Sequence, residues 1–68
     1  MEAETEKILE NIRAKRKEQK ISILNLAVNV GIAHSHLYYI ESKKVVPSVD
    51  VVVKIAKALN IPLGELIN

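Results

Sequence analysis

The chain has 68 residues, 49% of them apolar and 26% charged, with a net charge of +2, a balance that suits a folded globular protein and excludes disorder as the main state. A large catalytic cleft is excluded by size, because a chain of about 60 residues buries only about 60% of its unfolded surface and its core is correspondingly small. The absence of cysteine excludes a disulfide framework and a cysteine-based zinc site, and the longest apolar run, Leu37 to Ile40, falls far short of a membrane span of roughly 18 residues.

With no secretory leader visible either, a cytoplasmic protein without a membrane partner is expected. Two glycines, two prolines and a few polar residues divide the chain into five segments, and each predicts a helix. The first covers residues 5–20, with Ile8, Ile12 and the stem of Arg16 at i, i+4 and i+8. Acidic residues in its opening turns suit the positive end of the helix dipole. The second covers residues 23–30: Ser22 is a good N-cap, Leu26, Ala27 and Val30 repeat at helical spacing, and Gly31 stops it. Only about eight residues long, it needs tertiary packing to exist.

The third segment, residues 34–42, places Leu37, Ile40 and Glu41 on one face and Ser35, Tyr39 and Ser42 on the other. Because successive helical residues turn by about 100°, Tyr38 and Tyr39 cannot both point inward with Leu37, and at least one faces outward. The fourth covers residues 48–59, after Pro47. Here Val49, Val51 and Val53 alternate as a strand would, but Val49, Val52, Ile55, Ala56 and Leu59 follow the helical period over a longer stretch, and length decides for helix, with Asn60 as a left-handed stop. The fifth, residues 63–67, follows Pro62. Five short helices with brief connections, filling residues 1–68 as one domain, make a compact all-α bundle.

Charge is unevenly spread over these segments. Residues 1–10 sum to −3 (Glu2, Glu4, Glu6 and Glu10 against Lys7), residues 11–20 to +4 (Arg13, Lys15, Arg16, Lys17 and Lys20 against Glu18), and residues 42–57 to +3 (Lys43, Lys44, Lys54 and Lys57 against Asp50). Two basic patches therefore flank a nearly uncharged middle. For any one lysine the ordinary reading is a solvated helix face.

A set of anchors in joint register runs from Ile12 to Leu66: Ile12-Arg13 with Arg16; Ile21-Ser22, Leu26-Ala27 and Gly31-Ile32; Leu37 and Ile40-Glu41; Pro47-Ser48; and Ile55-Ala56-Lys57-Ala58-Leu59 with Ile61 and Leu66. In this the sequence resembles the phage-repressor-like (lambda-Cro-like, XRE) helix-turn-helix family. The resemblance implies a lambda-repressor-like DNA-binding fold in which the second and third helices form the motif, Gly31 permitting the tight turn and Ala27 a close crossing. It also implies a transcriptional regulator, a role that phage repressors, restriction-modification controllers and antitoxins of this pattern share.

Carried over by position, the resemblance makes the third helix the reader of the DNA major groove. His34 and Ser35 then stand at its start, His36 beside them and Tyr39 one turn later, all of them able to donate to or accept from base edges. Tyr38, on the flank, is either a fifth base-facing residue or a cover for the groove against the second helix. Ser42, Lys43 and Lys44 are implied phosphate contacts, with Arg13 and Lys17 as secondary ones. If about four contacts engage per subunit, a dimer neutralises about eight phosphates and log affinity falls with log salt at a slope near −7. Arg16 and Glu41 are implied to form a partly buried structural ion pair.

Four positions depart from the family pattern. Ile23 stands where a phosphate-binding glutamine is common, Ala33 where the third helix usually has a serine or threonine cap, and Lys20 and Lys43 where glycines are frequent. The chain also has surplus apolar residues, among them Ile23, Leu24, Val28, Val45, Val46, Val49, Val51 and Val53, which cannot all fit so small a core. Some face a partner, and a second copy reading an inverted repeat is the first choice. The family places the contact on the C-terminal helix, hence Ile61, Leu63 and Ile67, with Val45, Val46 and Val49 second.

The rival reading is a protein-binding module, an antitoxin or adaptor docking its target on the valine-rich surface. No cofactor is expected, and no metal, since His34 and His36 project about 200° apart on a helix and cannot chelate one ion together. An enzyme is not expected either: the sequence offers no acid–base pair, no nucleophile with a nearby base and no glycine-rich phosphate loop.

Overall fold

A computed structural model of the chain describes residues 2–67. Its helices are α1, Ala3–Glu18; α2, Ile23–Val30; α3, His34–Glu41; α4, Val49–Ala58; and α5, Gly64–Ile67. No strand occurs among the described residues. The valine-rich segment is helical because its buried positions, Ile55, Ala56 and Leu59, recur at three to four residues, and Ser48 starts the helix by accepting the Val51 backbone N–H at 3.2 Å. Ser22 does the same for α2 through the Asn25 N–H, whereas Ala33 gives α3 no side-chain cap.

The first helix begins and ends two residues earlier than the apolar pattern suggested. Lys20 is the reason at the far end: its φ of 59° turns the chain left-handed. The Lys20 N–H bonds the Lys17 carbonyl and the Ile21 N–H the Arg16 carbonyl, the paired closure of a Schellman motif. The same closure ends α3 at Lys43 (φ 64°) and α4 at Asn60 (φ 57°), while Gly31 (φ 87°) ends α2. A Cβ on Gly31 would meet nothing within 4 Å, so it is the backbone angle and not crowding that calls for glycine there.

Two lysines therefore hold a conformation that costs an L-residue about 1–2 kcal/mol. Lys20→Gly is expected to stabilise the fold by about 0.5–1 kcal/mol, less than the relieved strain because glycine also frees the unfolded chain. A denaturant melt measures it, and a loss of stability would contradict the strain.

Leu9 and Ile12 from α1, Leu26, Ala27 and Val30 from α2, Leu37 and Ile40 from α3, Ile55, Ala56 and Leu59 around α4 and Leu66 from α5 form one core. Leu9, fully buried, is the inward residue of the first two turns, where the sequence pattern favoured the half-buried Ile8. Polar side chains of α1 and of its C-cap, Gln19, also close the far ends of other helices. Gln19 donates to the Leu59 carbonyl at 2.7 Å and Asn11 to the Leu66 carbonyl at 2.8 Å, satisfying C-terminal carbonyls that lack helical partners. Lys15 adds a 3.0 Å ion pair to Glu65. α1 is thus the spine on which both ends of the bundle are fixed, and α3 packs against both α1 and α2.

Candidate nucleic-acid interface

α3 divides cleanly into two faces. Leu37 and Ile40 are fully buried and Glu41 nearly so, while His34, Ser35, His36, Tyr38 and Tyr39 are all exposed. Tyr38 retains 51% of its surface and Tyr39 45%, so neither ring serves as a cover for the core. The rings meet edge to face, with centroids 5.7 Å apart and planes at 66°, a preferred aromatic arrangement that restricts both. The imidazole, hydroxyl and phenol groups of these five residues make no side-chain hydrogen bond among the described residues. They offer donors, acceptors and two flat apolar surfaces to whatever meets the helix.

The inner end of α3 is held by charge. Arg16 Nε donates to Glu41 Oε2 at 2.7 Å and Arg16 Nη2 to Glu41 Oε1 at 2.9 Å, a two-pronged pair, and Arg16 Nη1 donates to the Ile21 carbonyl at 2.8 Å. Both residues are buried, at 8% and 7% exposure. One guanidinium therefore joins α1, the turn leading into α2, and the last turn of α3. Its planar fork supplies geometry that a lysine could not.

Of the expected phosphate contacts, Arg13, Lys17 and Lys44 are exposed and without a carboxylate partner among the described residues. Two others are already engaged. Ser42 Oγ donates its one proton to the Tyr38 carbonyl at 2.8 Å, closing the end of α3. Lys43 Nζ lies 2.7 Å from Glu10 Oε2 on α1. The hydrogen bond and charge of Lys43 hold the Glu10 carboxyl below its usual range, and the reciprocal bond to Glu10 raises the Lys43 ammonium. Glu10 has no place in the sequence pattern, and only the acidic tally of the first ten residues hints at it.

A helix-turn-helix family model matches residues 12–66 of the chain. The chain belongs to the XRE-type helix-turn-helix family. It is a DNA-binding regulator by that membership, and double-stranded DNA is its partner. Among solved structures it is similar to the restriction-modification controller protein C.AhdI from Aeromonas hydrophila, with a TM-score of 0.88 and 28% identity, covering 96% of this chain and 98% of that one. No curated protein matches it.

In this helix-turn-helix protein the surplus apolar residues, the half-buried Val53 apart, divide into three groups. Ile23, Val45 and Val51 pack against the core, and so does Ile61. Ile61, half-buried, follows the left-handed Asn60, the position whose side chain folds back on the helix it closes. Val46, Val49, Leu63 and Ile67 stay exposed and line one groove with Ile8 and Pro47. The two expected dimer surfaces, C-terminal and valine-rich, are thus continuous. Leu24 and Val28 form a separate exposed pair one turn apart on α2. No helix is long and apolar enough to cross a membrane among the described residues, and no group of three His, Cys, Asp or Glu residues is placed to hold a metal.

Proposed function

We propose that this cytoplasmic regulator acts by binding rather than catalysis, as a homodimer that lays α3 of each subunit in the major groove and reads an inverted repeat. The observation that carries this reading is the outer face of α3, where His34, Ser35, His36, Tyr38 and Tyr39 present polar groups without a side-chain hydrogen bond among the described residues while the inner face is locked in the core. Lys44, Arg13 and Lys17 supply phosphate contacts, and Lys43 joins them when released from Glu10.

The dimer contact is the groove bordered by Val46, Val49, Leu63 and Ile67. The apolar stripe of α4 explains its existence: Ile55, Ala56 and Leu59 are buried, but Val49, at the start of the same stripe, is 78% exposed. The stripe runs past the core and is completed by a second copy, as two half-sites about one helical turn apart require. The likeness to a restriction-modification controller favours that role over phage repressor or antitoxin. The exposed Leu24 and Val28 favour an additional protein contact, compatible with DNA binding.

Titrating affinity for duplex DNA against salt tests the reading. With three to four cations per subunit, log affinity is expected to fall with log salt at a slope between about −5 and −7 for a dimer. A slope near zero would remove DNA as the partner.

A further inference from the structure

The lysine that follows the recognition helix is already paired with an acid before DNA arrives. Lys43 sits in the left-handed turn that closes α3, where its side chain is expected to meet phosphate, and its Nζ lies 2.7 Å from Glu10 Oε2, thirty-three residues away in sequence. Both side chains are partly solvent-exposed, at 37% for Lys43 and 53% for Glu10, so the bond is open to exchange with another anion. Glu6, one turn earlier on α1, acts on the same ammonium. The neighbouring Lys44 has no such partner among the described residues.

We propose that Glu10 is an internal stand-in for a DNA phosphate: it withholds Lys43 from the backbone and lowers affinity for DNA of any sequence, so that binding depends on what α3 reads. The chemistry is a one-for-one exchange. A carboxylate oxygen and a phosphate oxygen are both anionic acceptors for the same ammonium, and each phosphate contact made by Lys43 leaves Glu10 without its cation. The carboxylate then takes up a cation from solution, which cancels most of the counterion release that this contact contributes. Lys43 therefore adds little to the salt dependence of the native protein. Three cations per subunit remain effective, for a slope near −5 in a dimer, although four are in reach.

This inference rests on the DNA-binding reading, and the experiment separates the two. Salt titrations on random-sequence duplex compare the native protein with Glu10→Gln and with Glu4→Gln, which changes net charge equally at an exposed position of the same helix. Glu10→Gln is expected to raise affinity about two- to fivefold per subunit at low salt, the range of an exposed ion pair. It should also steepen the dimer slope from about −5 to about −7. Glu4→Gln should do neither. In a Lys43→Met background the effect of Glu10→Gln should vanish. Equal effects from the two glutamate variants, or persistence of the Glu10 effect without Lys43, would overturn the proposal in favour of general repulsion between α1 and DNA. A native slope near zero would remove the DNA reading itself, and the masking with it. Circular-dichroism melts of each variant establish that all are folded under the binding conditions.

Discussion

Arg16→Ala is expected to cost about 3–5 kcal/mol of folding stability, because it strands the buried Glu41 carboxylate and leaves the Ile21 carbonyl without its donor. A domain of this size has a total folding free energy of about 3–10 kcal/mol, so the variant should be largely unfolded at ambient temperature or melt tens of degrees lower. Any loss of DNA binding would then follow from unfolding and not from a missing phosphate contact. The comparison that isolates the cause is Arg16→Met with Glu41→Leu. Removing both charges together replaces the pair with apolar bulk and should recover most of the stability that either single change loses. An unchanged melting temperature for Arg16→Ala would sink the structural role. Arg16→Lys should fall between, since an ammonium reaches one carboxylate oxygen or the Ile21 carbonyl but cannot span all three acceptors as the fork does.

Tyr39→Ala should behave in the opposite way. The ring is nearly half exposed and is not part of the core, so the melting curve should shift little. What should fall is preference for the operator over random DNA, by about 1–3 kcal/mol, the worth of one direct base contact. Tyr38→Ala is expected to act in the same direction and less strongly, because its ring supports Tyr39 edge to face. Competition binding between operator and random duplex measures both. Should stability drop while preference holds, Tyr39 would be a packing residue.

Much of this fold was legible without coordinates because it depends on local signals. Serine caps at Ser22 and Ser48, the helical period through Ile55, Ala56 and Leu59, and the breaks at Gly31 and Asn60 act over one or two turns and can be read along the chain. The two lysines at glycine-favoured positions were visible as departures, and their left-handed φ values explain why glycine is favoured there. Contacts made by long polar side chains across the bundle were not legible. Glu10 with Lys43, Asn11 with the Leu66 carbonyl and Gln19 with the Leu59 carbonyl join residues 33, 55 and 40 apart, and no spacing rule connects them. Arg16 and Glu41, 25 apart, were paired only through the family resemblance.

The exposure of Tyr39 was legible for another reason, whereas the sequence left Tyr38 open between a base-facing residue and a cover against the second helix. A helix of eight residues that must bury Leu37, Ile40 and Glu41 has no freedom left to hide Tyr39. Aliphatic residues already fill the core, so both rings are left for a partner. What the sequence did not reveal is that the apolar start of α4 and the end of α5 share one groove, because that requires knowing how the two ends of the bundle meet.

Selection of bound sequences from a random duplex pool tests most directly whether α3 reads DNA in a twofold dimer. The selected sites should converge on an inverted repeat with half-sites about 10 base pairs apart, centre to centre, and the convergence should weaken at specific positions for Tyr39→Ala. A pool that returns without enrichment, from a protein shown to be folded, would contradict the account and leave the apolar surfaces, not α3, as the functional face.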